Sequence, residues 1–214
     1  MVKQVFPGVY RFGRDFATKS QDSKRVYGER LKRTKGGVFR VWDPHRSKVA
    51  AALVKGLNEF PVKADSNVLY LGASSGTTAS HIADVTGGLV YCVEFAKRSM
   101  RDLYQVSLRK RNMVPVLADA RHPWEYNHLV SCCDVLIQDV AQPRQAEIVL
   151  VNSNYFDFRE ALLSIKSRSI DTTRTPKKIF DEEVAKLEKI FSVKQKLLLK
   201  PFEEDHILVH LVRK

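Results

Sequence analysis

The rhythm of apolar and polar positions changes once along this 214-residue chain. Up to Pro44 the apolar residues stand in short runs broken by turns, in "KQVFPGVYRFG", "KRVYG" and "GGVFRVWDP". Val5, Val9, Tyr10, Phe39, Val41 and Trp42, separated by Pro7-Gly8 and Gly36-Gly37, predict antiparallel hairpins. After Trp42-Asp43-Pro44 the spacing becomes helical at Ala50, Leu53, Val54 and Leu57, and strand-like and helix-like segments then alternate to the end. Strands are expected at Asn67–Leu71, Leu89–Glu94, Val114–Ala118, Asp134–Gln138, Ala161–Lys166, Val193–Lys200 and Ile207–Val212. Helices are expected at Thr77–Thr86, Lys97–Lys110, Gln142–Asn152 and Pro176–Ile190. The pattern divides the chain into a small antiparallel β domain, residues 1–46, and a Rossmann-like α/β domain, residues 47–214.

Alternation of this length predicts a parallel sheet covered by helices on both faces. Its ending breaks the rule. "SVKQKLLLKPFEEDHILVHLV" offers two strands with only a short connection, so the last pair must be an antiparallel hairpin. Six parallel strands and a reversed last one make the seven-stranded sheet of a class I methyltransferase. A nicotinamide-binding Rossmann sheet would need another crossover helix.

In an open α/β sheet, ligands bind at the carboxyl ends of the strands, near the switch point. The first strand runs into "LYLGASSGTTASHIAD". The spacing Gly72-x-x-x-Gly76 is not the G-x-G-x-x-G of a dinucleotide site, and no Lys-Ser or Lys-Thr follows Gly76 as in a Walker loop. The hydroxyls of Thr77 and Thr78 at a helix N-terminus suit a carboxylate. Alone, the turn serves equally well as a capped strand-to-helix junction. The next strands end in "YCVEFA", "VLADARHP" and "LIQDVAQP". Glu94, 22 residues beyond Gly72, is spaced to accept ribose hydroxyls. Asp119 and the Ala120 amide suit an adenine edge, and Asp139 and Gln142 overlie the same crevice. This set describes S-adenosylmethionine as the cofactor, with hydroxyls for its carboxylate, an acid for its ribose, and an acid and an amide for its base.

Charge narrows the partner. The chain carries 36 Lys and Arg against 24 Asp and Glu, a net +12, and residues 1–48 hold 13 basic and 4 acidic residues, so nine of the twelve excess charges lie in the first quarter. An uneven basic surface favours a polyanion, because neutralised phosphates release counterions. The helix "KRSMRDLYQVSLRKR" is either a surface along RNA or a solvated helix face. Cys92, Cys132 and Cys133 have no metal spacing and read as buried small apolar residues, and the histidines show no ligand spacing either, so no metal is expected. With no apolar run of 18 residues and no signal-peptide core near the start, neither export nor membrane insertion is expected.

Seven ordered blocks carry a resemblance: "VWDPHRSKVAAAL", "YLGASSGTTASHIAD", "YCVEFAKRSMRDL", "ADARHPWEY", "IQDVAQPRQAEI", "IKSRSIDTT" and "PFEEDHILV". The sequence resembles the fibrillarins, the RNA 2'-O-methyltransferases of box C/D ribonucleoproteins, in their archaeal form, since the Gly/Arg-rich extension of the eukaryotic members is absent. The resemblance implies cofactor contacts from Gly72, Ala73, Thr77, Thr78, Glu94, Phe95, Asp119, Ala120, Asp139, Val140, Ala141 and Gln142. It implies a catalytic set of Lys48, Asp139, Lys166 and His206, like the Lys-Asp-Lys-Glu tetrad of other ribose methyltransferases with histidine in place of glutamate. The implied partners are a box C/D guide RNA with its rRNA or tRNA target, a coiled-coil Nop-type scaffold and, through it, a kink-turn-binding ribosomal-protein homologue. The implied location is cytoplasmic. Two departures fall in "YFDFREALLSIK", where the family usually has a glycine pair, and in the short connection "DVTGGLVYC".

Overall fold

The structure, a computed structural model, describes residues 2–214. Five strands, β1 (Val2–Phe6), β2 (Val9–Phe12), β3 (Asp15–Lys19), β4 (Leu31–Thr34) and β5 (Gly37–Val41), form an antiparallel sheet in the order β1-β2-β3-β5-β4. The expected hairpins are there, but "KRVYG" is not a strand. The Val26 and Tyr27 amides donate to the Glu29 carboxylate at 2.9 to 3.1 Å, so a side chain closes this segment into a bend. The strands on either side of it, β3 and β4, take the places in the sheet.

Helix α1 (Lys48–Val54) follows, with the Ser47 hydroxyl accepting from the Ala50 amide at its start and from Trp42 Nε1 at 3.0 Å. The second sheet is built from β6 (Val68–Leu71), β7 (Val90–Glu94), β8 (Met113–Leu117), β9 (Val135–Gln138), β10 (Glu160–Lys166), β11 (Phe191–Leu198) and β12 (His206–Arg213), in the order β11-β12-β10-β9-β6-β7-β8. Only β12 is reversed, antiparallel to both β10 and β11. This is the class I methyltransferase arrangement expected from the alternation. Pro115, which cannot donate to a ladder, sits in the edge strand β8.

The crossovers are α2 (Thr77–Val85), α3 (Lys97–Ser107), α4 (Gln145–Asn152), the short α5 (Ser167–Ile170) and α6 (Pro176–Leu187). Helix α4 begins three residues later than its pattern suggested, because Pro143 disfavours helical backbone at Gln142. Helix α5 was not expected. Along each central strand, successive residues enter different cores: Val68 and Tyr70 pack with α1, α2 and Trp42, while Leu69 and Leu71 pack with α4 and α6. Burial on both faces is why these strands read as unbroken apolar runs.

The first sheet is tied to α2 by a buried ionic knot. Arg40 of β5 contacts Glu29 at 2.5 Å and Asp84 of α2 at 2.7 Å, and donates to Ser80 Oγ at 2.8 Å. Lys110 reaches the other oxygen of Asp84 at 2.5 Å. Beside this knot His81 is fully buried, stacked on Trp42 and bonded to Thr18 and Tyr27, and burial pushes its imidazole well below the usual histidine range. Cys92 and Cys133 are buried, but Cys132 is exposed: residues 131–134 are a loop ahead of β9, not part of a strand. Among the described residues no helix is long and apolar enough to cross a membrane, and no cluster of three or more His, Cys, Asp or Glu is placed to hold a metal ion.

Candidate active site

Parallel strands deliver their carboxyl ends to one edge of the sheet, and here the ends of β6, β7, β8, β9 and β10 surround a cleft of about 280 Å³. Nine of the expected cofactor residues line it: Gly72, Glu94, Phe95, Asp119, Ala120, Asp139, Val140, Ala141 and Gln142. Ser74, Val93, Ala118, Ile148 and Lys166 complete the wall. Three carboxylates against a single ammonium make the lining favourable to a cationic ligand.

Gly72 is fixed by the end of β9 beside it. Its φ is +79°, and a Cβ there would lie 2.9 Å from the Asp139 carbonyl oxygen. A Gly72→Ala chain is therefore expected to lose about 2 kcal/mol of stability in urea unfolding, from left-handed backbone strain and displacement of the β9 end. An unchanged midpoint would show that the turn relaxes freely. Ser74 is also left-handed, at φ +49°, and its amide donates to Glu94 Oε2 at 2.9 Å. The Ala96 amide donates to the other oxygen at 2.8 Å, so Glu94 is held by two backbone donors. Asp119 is gripped by Arg121, whose hydrogen bonds hold its carboxyl below the usual carboxylate range. Phe95, 62 % exposed, forms part of the rim.

Three of the expected cofactor positions do not reach the cleft lining. Ala73 is buried, its amide donating to Val93 O at 3.1 Å. The N-cap of α2 is Gly76, not a threonine, which makes Thr77 and Thr78 the first two helical residues. The Thr78 hydroxyl is buried and donates to Ser47 at 3.0 Å, linking α2 to α1.

The four residues of the implied catalytic set do come together. Lys166 Nζ lies 2.8 Å from Asp139 Oδ1, at an angle poor for hydrogen bonding, and donates to the Asp139 carbonyl at 3.0 Å. Lys48 Nζ is 3.6 Å from Asp139 Oδ2. Burial opposes its charge, yet Asp139 and Glu203 outweigh that and hold the ammonium above the ordinary lysine value. His206 stands opposite Lys166 on the last rung of the β10–β12 ladder. Burial lowers its imidazole below the ordinary value, opposed by Glu203 and, more weakly, Asp139, with Lys48 and Lys166 adding to the lowering.

Two members escaped the sequence. Glu203, in the β11–β12 connection, lies 3.2 Å from Lys48. Gln145, fully buried at the start of α4, accepts from the Lys166 amide at 2.8 Å and donates to the carbonyls of Gln142 at 2.8 Å and Lys166 at 3.1 Å. One amide thus joins the end of β10 to the loop that lines the cleft. Nothing in the sequence separates this glutamine from Gln142, since only the tertiary fold brings it to Lys166.

Known proteins share this arrangement. The fibrillarin family model matches residues 1–214. A Pyrococcus furiosus protein named fibrillarin-like rRNA/tRNA 2'-O-methyltransferase is 45% identical over 222 residues, covering 99% of this chain and 97% of its own. The crystal structure of Aeropyrum pernix fibrillarin in complex with natively bound S-adenosyl-L-methionine matches with a TM-score of 0.88 and 44% identity, over 99% of each chain. A fibrillarin from a fibrillarin/Nop5p complex matches with a TM-score of 0.90 and 34% identity, over 99% of this chain and 100% of its own. With the family model matching end to end and close relatives aligned along nearly the full length, the chain belongs to the fibrillarin family.

Proposed function

We propose that this chain is an S-adenosylmethionine-dependent RNA ribose 2'-O-methyltransferase, the catalytic subunit of a box C/D guide ribonucleoprotein acting on rRNA and tRNA. The observation that carries the reading is the Lys48, Asp139, Lys166 and His206 cluster set at the edge of a carboxylate-rich cleft. A relative of the same fold holds S-adenosylmethionine, and the residues here suit that group. Glu94 keeps acceptor capacity for a ribose diol, Asp119 and the Ala120 amide would face the base, and the carboxylates favour a sulfonium. Gly72, Phe95, Val140, Ala141 and Gln142 would supply the remaining contacts, and Ala73, Thr77 and Thr78 would support the turn from behind the lining. The bound cofactor supplies an electrophilic methyl group.

The chain's own residues must then place a ribose hydroxyl and manage its proton. Lys166 leaves the sheet at the cleft, tethered twice to Asp139, and is the group we assign to the incoming hydroxyl. Lys48, held as an ammonium, suits the neighbouring phosphates and balances Asp139. His206 is the one member whose ordinary titration lies near neutrality. No base-reading aromatic pair is evident, so target choice falls to guide pairing. The partners are the guide RNA, a Nop-type scaffold of the kind seen with the fibrillarin/Nop5p relative, and a kink-turn protein bound through that scaffold. Archaeal relatives support a cytoplasmic setting.

The test is methyl transfer with guide RNA, target and partner proteins, each omitted in turn. Transfer is expected only with the full set, and a Lys166→Ala chain should lose about 10²-fold or more in rate. Transfer to unguided RNA by the chain alone would overturn the guided reading. Full activity of Lys166→Ala would overturn the catalytic assignment.

A further inference from the structure

Glu203 enters the cluster from the β11–β12 connection and touches two of its members. Oε1 lies 3.2 Å from Lys48 Nζ, and Oε2 lies 3.8 Å from His206 Nδ1. That ring nitrogen is buried and has no hydrogen-bond partner. A bare lone pair on Nδ1 would face a negatively charged oxygen across this gap, whereas an N–H there would face an acceptor. The charges of the cluster agree. Lys48 on α1 and Lys166 on β10 supply two positive charges, and Asp139 after β9 and Glu203 supply two negative ones, so the four balance around an uncharged imidazole on β12.

We propose that Glu203 is a positioning residue of the active cluster: it keeps the proton of neutral His206 on Nδ1, leaving Nε2 as the acceptor available to substrate, and clamps the Lys48 ammonium beside Asp139. The logic is that of a carboxylate orienting a histidine from its far nitrogen, with Glu203 three residues before the ring it controls. The same charge favours the protonated ring should it gain a proton, because Glu203 is then its counter-ion. Without Glu203 the cluster carries an excess positive charge before His206 binds any proton. The consequence for methylation rests on the methyltransferase reading above; the tautomer itself does not.

The decisive measurement is nitrogen NMR of the full chain labelled at histidine, free of cofactor and RNA, with His206 assigned by its absence in a His206→Asn chain. The ring-nitrogen shifts should place the proton on Nδ1 in the unaltered chain. In Glu203→Gln, whose amide can itself donate, the proton should move wholly or partly to Nε2, and the midpoint of ring titration should fall by about one pH unit. Glu203→Asp should keep the Nδ1 proton. In reconstituted particles Glu203→Gln should lower kcat and shift the acid limb of the pH profile to lower pH, following the histidine midpoint. An Nε2 proton in the unaltered chain, or an unmoved tautomer and midpoint in Glu203→Gln, would overturn the proposal. Absence of methyl transfer by the unaltered particle would instead overturn the functional reading and leave the tautomer result standing.

Discussion

An Asp139→Asn chain is expected to lose about 10³-fold or more in methyl transfer while keeping its fold, a larger loss than removal of either lysine. Among the described residues Asp139 is the only carboxylate within 4 Å of both ammonium groups, at 2.8 Å from Lys166 and 3.6 Å from Lys48. At such separations a charge pair near a protein surface interacts by roughly 4 kcal/mol before desolvation is counted. Asparagine keeps the shape and removes the charge. Two cations then face each other across a neutral amide, and either one moves away or one loses its proton. Both outcomes spoil the placement of the hydroxyl, and a misplacement of about 1 Å can cost 10²-fold. The carboxylate also lines the cleft, so calorimetry should show cofactor affinity weakened by about tenfold. Circular dichroism and melting should match the unaltered chain. Retained kcat would mean that the lysines are positioned by the sheet alone, with Asp139 serving only the cofactor.

The parts of this site that lie at strand ends were legible in the sequence, and the parts set by turns were not. Glu94, Asp119 and Asp139 each stand at or just past the end of an apolar run, and parallel pairing brings such ends together automatically. Lys48, Lys166 and His206 are far apart along the chain, and only the resemblance pointed to them. Glu203 stayed hidden because it is followed by Glu204 in a connection whose path no periodicity fixes. Glu204 instead pairs with Lys200, away from the cluster. The threonines show a different limit. Two hydroxyls beside a glycine turn were visible, but not that Gly76 caps the helix and that Ser47, thirty-one residues before Thr78, takes up its hydroxyl. Cys132 was misread as buried from its residue type alone, and it stands exposed in the loop ahead of β9. The start of α4 was recoverable from Pro143 by the restriction that proline places on the residue before it.

The first sheet looked like an appendage in the sequence, and the buried knot at Arg40 gives it a different expectation. An Arg40→Met chain should lose about 3–5 kcal/mol, because the change strands Glu29 and half of Asp84 in an environment that water does not reach. For a chain of this length the loss corresponds to a fall of roughly 10 °C in melting temperature. Asp84→Asn should cost at least as much. It leaves two cations, Arg40 and Lys110, both with fully buried side chains, without the carboxylate that separates them. An exposed pair supplies the comparison: Arg174→Met, which removes a contact to Glu182 at the surface, should leave melting unchanged. The readout is a single cooperative transition. Because Arg40 holds Ser80 and Asp84 of the helix that starts directly after the Gly72–Gly76 turn, the sheet and the cleft should melt together. A first transition confined to the sheet, with cofactor binding intact above it, would show that residues 1–46 fold as a separate unit and that the knot only decorates their boundary.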